Sequence, residues 1–312
     1  MTPSPRKRLA IILNRESGSL AKLGPGLVAD ELKSILENLG CGITVQTLQG
    51  EEIGSAIKEA RDGEADTVIV GGGDGTVAAA ATIMAGQSKP LGILPLGTFN
   101  LAARDVGMPL DWREAAELLV SAPADYMDLL DVDGKLFLCV VVLGFYPSLA
   151  IGQPDYHGNW IAKSLRTLAR ALRGAMMFPP LQLQLTAGQT VHVHRTRMAL
   201  MANNDYENMF GLIPKRSSLD AGYFTVYISK HVSAWGMFRS VGTWICGKWQ
   251  QDREVTIFRA TDLQIDVKRK RKVAAMMDGE LERLRLPARV RLRPKALRVI
   301  APRWSQPPLS LP

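Results

Sequence analysis

The stretch Thr67-Val-Ile-Val-Gly-Gly-Gly-Asp-Gly-Thr76 runs from an apolar strand through glycines into a helix start. Glycines there let the backbone turn sharply and approach a ligand, and the N–H groups opening the next helix form an anion site. Two common phosphate loops are excluded. Thr76 stands where the dinucleotide Gly-x-Gly-x-x-Gly needs its last glycine, and no Gly-Lys-Ser/Thr follows as a Walker A loop requires. Asp74 decides among what remains. A carboxylate inside a phosphate cradle is repelled unless a cation bridges the two, or unless it takes a proton from a substrate hydroxyl. Both options point to Mg²⁺-nucleotide phosphoryl transfer.

Outward from that loop, strand and helix signals alternate. Leu9–Leu13, Ile43–Thr47, Thr67–Val70 and Leu91–Leu94 read as strands; Leu27–Leu39, Glu51–Arg61 and Val77–Ala85 read as helices. Gly40 sits where a helix is expected to stop, and Asp111-Trp-Arg-Glu114 resembles a capping box. This alternation predicts a parallel sheet covered on both faces. A second loop, Leu94-Pro-Leu-Gly-Thr-Phe-Asn-Leu-Ala-Ala-Arg104, leaves the fourth strand through Gly97-Thr98 into a short helix. Both loops then lie at the carboxyl edge of one sheet, where ligands bind open α/β sheets. Arg104 reads equally as a partner for a carboxylate or phosphate and as a surface ion pair.

The second half changes character. Short β-prone segments recur: Lys135–Leu143, Leu181–Leu185, Thr190–His194, Met198–Ala202, Tyr223–Ile228, Val255–Arg259, Leu263–Val267 and Arg289–Arg293. Only Trp160–Met177 reads as helix, with Lys163, Arg166, Arg170 and Arg173 on one face. Met276-Met-Asp-Gly-Glu280 alone reads as a hairpin turn. The fold expected is therefore α/β, a parallel-sheet domain over 1–128, joined to a mostly β sandwich over 129–312. The extreme C-terminus has the option of packing back on the first domain.

Composition agrees with two folded domains: 312 residues, 46% hydrophobic and 22% charged. Charge is divided unevenly. Residues 1–130 hold 11 basic and 17 acidic side chains, whereas 131–312 hold 27 and 13, so a net −6 faces a net +14. That asymmetry points to an anionic partner for the second half. Three scattered cysteines suit a reduced, cytosolic protein. The uncharged run Leu136–Pro154 carries two glycines and two prolines and reads as a strand and loop rather than a membrane span.

Gly72-Gly-Asp-Gly-Thr76, Pro95-Leu-Gly-Thr-x-Asn-x-x-Ala-Arg104 and Asp278-Gly-Glu280, in that order, resemble the diacylglycerol kinase catalytic-domain family. That family includes bacterial soluble lipid kinases and the sphingosine and ceramide kinases. The resemblance implies a NAD-kinase-like α/β domain, a β sandwich that takes the lipid substrate, and Mg²⁺ and ATP in the cleft between them. It implies that Asn14, Arg15, Glu16, Ser17, Gly18, Thr47, Gly72, Gly73, Asp74, Gly75, Thr76, Thr98 and Asn100 bind nucleotide. Asp74 would also hold Mg²⁺. Glu280 is the proton acceptor that the resemblance favours, with Asp278 beside it, although residue type alone does not choose between Asp74 and Glu280. Two departures stand out. Leu101 replaces a polar residue of many relatives, and Ala221, after Asp220, replaces an aspartate that holds a structural Mg²⁺ in some bacterial members.

A lipid substrate requires docking at a bilayer. Candidate contacts are the basic face Lys163, Arg166, Arg170 and Arg173, the segment carrying Trp235, Trp244 and Trp249, and the run Lys268–Lys272. Core packing for the tryptophans and a solvated turn for the lysines are equally open readings. The expected activity is transfer of the ATP γ-phosphate to a hydroxyl of diacylglycerol or a related lipid. The alternatives are a NAD kinase and a non-catalytic nucleotide- or membrane-binding pseudokinase. The expected location is the cytoplasm, peripheral at the inner membrane face. Nucleic acid is not an expected partner, and a homodimer is possible.

Overall fold

A computed structural model describes residues 7–144, 179–206, 216–231, 233, 236 and 254–302. The expected helix Trp160–Met177 lies outside the described residues, and so do Lys163, Arg166, Arg170, Arg173, Trp235, Trp244 and Trp249.

The glycine loop joins a fully buried strand, β3 (Thr67–Gly72), to a helix, α4 (Asp74–Met84). Around it lie β1 (Arg8–Asn14), β2 (Gly42–Leu48) and β4 (Leu91–Pro95), paired in parallel in the order β2-β1-β3-β4. Helices α1 (Gly18–Leu23), α2 (Pro25–Asn38), α3 (Glu52–Asp62), α5 (Leu101–Asp105) and α6 (Trp112–Ser121) complete this layer. Helix α2 buries Val28, Leu32 and Leu36 at helical spacing. Each such leucine contributes roughly 1.5–3 kcal/mol by leaving water. Leu27 near the start of α2 and Leu39 at its C-cap stay 72% and 49% exposed. Asp111 caps α6: its carboxylate accepts from the N–H groups of Arg113 and Glu114. Helix α4 starts at Asp74 rather than Val77, so Gly75 lies inside its first turn.

The remaining strands are β5 (Ala124–Val132), β6 (Lys135–Phe137), β7 (Val140–Gly144), β8 (Leu181–Ala187), β9 (Thr190–Thr196) and β10 (Met198–Asn203), followed by β11 (Phe224–Ser229), β12 (Val255–Ala260), β13 (Asp262–Val267), β14 (Lys272–Met277), β15 (Glu280–Arg285) and β16 (Ala288–Ile300). An antiparallel sheet β12-β11-β10-β7-β14-β15 packs on β5, β6, β8, β13 and the first half of β16. Leu183, Ile265 and Val290 meet Val141, Met201 and Phe224 between the layers. The outer face of that antiparallel sheet, with Val140, Val142 and Met276, belongs to the core of the α/β layer. The architecture is thus a parallel-sheet α/β domain joined to a mostly β sandwich.

Strand β16 ties the two together. Its first half pairs with β13, and its second half reaches β4 in parallel at Val299↔Leu91. Strand β5 runs antiparallel along both halves, across a bulge between Arg293 and Leu297. The expected single strand Lys135–Leu143 is instead two, β6 and β7. The break has a cause: the N–H groups of Leu138, Cys139 and Val140 all turn to the Asp278 carboxylate.

Candidate active site

Strand order places the switch point of the parallel sheet between β1 and β3, where crossovers part and open a crevice at the carboxyl ends. Asn14 ends β1 there and donates its Nδ2 to Thr76 Oγ1 at 2.9 Å, spanning the crevice. Its Oδ1 accepts the Glu16 N–H, which curls the Asn14–Gly18 loop. Ser17 is buried and donates to the Leu96 carbonyl; Ser19 donates to the Gly97 carbonyl. These bonds lay the first loop on the second, and Gly18 comes close to the Thr98 hydroxyl. Arg15 and Glu16 remain exposed, and Thr47 is half-buried one register step before the Asn14↔Leu48 pair.

The two glycine turns touch backbone to backbone. A Cβ on Gly97 would lie 2.6 Å from the Gly73 Cα, so only glycine permits that approach. Gly73 is the N-cap of α4 and offers no side chain, which leaves the first-turn N–H groups to an anion. Asn100 adopts a left-handed conformation, and its side chain bonds the Gly97 N–H and carbonyl. Its amide therefore shapes the second loop. Arg104 is exposed and donates Nε to the Phe99 carbonyl.

Asp74 is half-buried at the start of α4, and its Oδ1 accepts the Leu101 N–H at 2.7 Å. Burial pushes its carboxyl up to about 6, against the pull of N–H groups at the start of α5. Asp278 adds to the upward shift through its negative charge. A buried carboxylate held this way is one that a cation would relieve.

The Asp278-Gly-Glu280 turn comes from the far end of the chain to the same place. A Cβ on Gly75 would stand 1.8 Å from Glu280 Oε1, so the absence of a side chain at 75 is what admits the Glu280 carboxylate. Glu280 is exposed. Asp278 is different. It is 2% exposed, with Oδ2 accepting from Leu138 and Oδ1 from Cys139 and Val140. Burial raises its carboxyl, while those three N–H groups and Arg216 pull it back down. In this geometry Asp278 holds the turn that carries Glu280, and both its oxygens accept backbone N–H groups.

The segment around Asp220 does not fit a structural metal. Asp220 hydrogen-bonds with Ser218 and lies 3.4 Å from the Lys295 ammonium. The nearby buried Asp128 gives its two oxygens to the N–H groups of Gly222 and Lys295. The Lys295 ammonium already offers Asp220 a positive charge.

Residues 8–132 match the diacylglycerol kinase catalytic domain, and 153–301 match the YegS C-terminal NAD kinase beta sandwich-like domain. The chain carries a diacylglycerol kinase catalytic domain followed by a YegS C-terminal domain. It is 26% identical over 231 residues to the diacylglycerol kinase of Bacillus subtilis (strain 168), covering 72% of this chain and 74% of that protein. It is 33% identical over 155 residues to a "Probable lipid kinase YegS-like" of Yersinia pestis (strain Pestoides F), spanning 47% and 49% of the two. The solved structure of a diacylglycerol kinase from Bacillus anthracis str. Sterne superposes with a TM-score of 0.66 at 15% identity, over 96% of this chain and 98% of that one. That last likeness is one of fold. Among the described residues no helix is long and apolar enough to cross a membrane.

The expected residues that gather here are Asn14–Gly18, Gly72–Thr76, Thr98, Asn100 and Glu280. Sequence reasoning missed Ser19, Asp105, Leu138–Val140 and Arg216. Ser19 had a legible signal, a hydroxyl directly after the Ser17-Gly18 turn. Arg216 had none, because nothing in a lone arginine announces burial.

Proposed function

We propose that this protein is an ATP-dependent lipid kinase that phosphorylates a hydroxyl of diacylglycerol or a related lipid, with Mg-ATP as its co-substrate. One observation carries the reading: the Glu280 carboxylate rests on Gly75, in the first turn that Asp74 opens. A proton acceptor and a cation-binding carboxylate thus flank the helix start that would receive phosphate. The lipid hydroxyl oxygen attacks the γ-phosphorus, and the bond to the β–γ bridging oxygen breaks. ADP leaves with that electron pair, and the hydroxyl proton passes to Glu280. Asp74 would hold the Mg²⁺ that accompanies ATP, and the glycine turns would bind its phosphates. The net +14 of residues 131–312 supports docking on anionic lipid.

Labelled ATP incubated with a total lipid extract, with products identified by mass spectrometry, tests this directly. A labelled phospholipid whose yield disappears in Asp74→Asn and falls at least about 100-fold in Glu280→Gln is expected. Formation of NADP from NAD, with no lipid product, would overturn it.

A further inference from the structure

Arg216 is the largest fully buried side chain in the described protein, at 0% exposure. Its Nη2 lies 2.7 Å from Asp105 Oδ2 and donates to the Leu138 carbonyl at 2.6 Å. Its Nε and Nη1 have no hydrogen-bond partner among the described residues. As a stability device this is poor, since an apolar side chain of similar volume often serves a buried site as well or better. What the arrangement provides is geometry.

Each of the two contacts leads to one catalytic carboxylate. Asp105 is the last residue of α5, and the first residue of α5, Leu101, supplies the N–H that holds Asp74. Leu138 presents its carbonyl to Arg216 and to Asn203 Nδ2, while its own N–H goes to Asp278. Asp278 is two residues from Glu280, which returns to Gly75 beside Asp74. The path is closed: Asp74, α5, Asp105, Arg216, Leu138, Asp278, Glu280. Its two halves belong to different domains, and the guanidinium joins them. We propose that Arg216, paired with Asp105, is a positioning residue that fixes the spacing of Asp74 and Glu280 across the domain boundary. The inference rests on the kinase reading for its catalytic consequence, but its structural content stands separately.

The test compares the wild type with Arg216→Met/Asp105→Leu, which removes both charges together and leaves neither unpaired. Should that variant not fold, Arg216→Gln/Asp105→Asn, which likewise leaves no charge unpaired, takes its place. The expected result is a folded protein whose kcat falls by more than about tenfold while KM for ATP stays within about twofold. Amide exchange should quicken at Leu138, Cys139 and Val140, and also across the boundary at Leu101. An unchanged kcat, or faster exchange confined to 138–140, overturns the proposal. If the wild type phosphorylates no lipid, the kinase reading fails and the exchange at Leu101 alone decides the brace.

Discussion

Gly75 is the position at which the two domains meet at the candidate site, and the constraint there is steric. Any side chain at 75 occupies the place of Glu280 Oε1. Gly75→Ala gains helix propensity worth about 1 kcal/mol, so stability should stay within about that amount of the wild type. Displacing Glu280, the proposed proton acceptor, by an ångström or more should nevertheless lower kcat by about 100-fold. Thermal unfolding and steady-state kinetics on one preparation check both halves. Asp74 makes a complementary prediction. Its folded value of about 6 lies above the ordinary 3.8, so between those values the folded protein keeps a proton that the unfolded chain has lost. The associated stability is present below about pH 4 and is gone once pH passes about 6. Asp74→Asn does not titrate. Without nucleotide or Mg²⁺, it should gain on the wild type from pH 4 to pH 7 by up to about 3 kcal/mol, read from urea unfolding at each pH. A difference that is flat in pH would contradict the buried-carboxylate account.

The hairpin β14–β15 and strand β16 show why some elements were legible and others were not. The strands β1, β3 and β4 are continuous apolar runs, and nothing competes with that reading. Strand β5 hides because Asp125, Asp128 and Asp131 punctuate it. Two of those acids are buried, where Arg293, Lys295 and Gly222 satisfy them from distant parts of the chain. Strand β16 hides its second half behind Pro294 and Lys295, which form the bulge. The Asp278 turn was legible as a hairpin, but its buried bonding was not, because its partners at 138–140 are backbone. Its consequence is testable. Asp278→Ala leaves three buried N–H groups without acceptors, and losing them should cost at least about 3 kcal/mol in chemical unfolding. The bulge carries a second consequence. With Lys295 beside Asp220 in place of a structural cation, chelation by EDTA should leave the melting temperature of the nucleotide-free protein unchanged. A fall of several degrees would restore the metal site.

The division of charge along the chain acquires a location on the folded molecule. The acidic half builds the glycine loops proposed to bind nucleotide, where a cation travelling with ATP would neutralise phosphate. In the basic half, Lys268–Lys272 forms the exposed connection from β13 into β14. The register sets Lys272 directly opposite Arg285 on β15. Like charges facing across a strand pair destabilise it, so this edge holds an arrangement that an anionic surface would relieve. Near such a surface each of these charges contributes about 1 kcal/mol, equivalent to about fivefold in affinity. Co-sedimentation should therefore show binding to vesicles containing phosphatidylserine but not to phosphatidylcholine alone. Binding should weaken steeply as salt rises, because screening shortens the reach of exposed charges. Replacing Lys268, Arg269, Lys270 and Arg271 with alanine should weaken binding by about fivefold per charge, while turnover of a detergent-dispersed short-chain lipid is retained. Binding indifferent to anionic lipid and to salt would detach the basic half from the membrane. The excess of lysine and arginine would then be no more than a solvated surface.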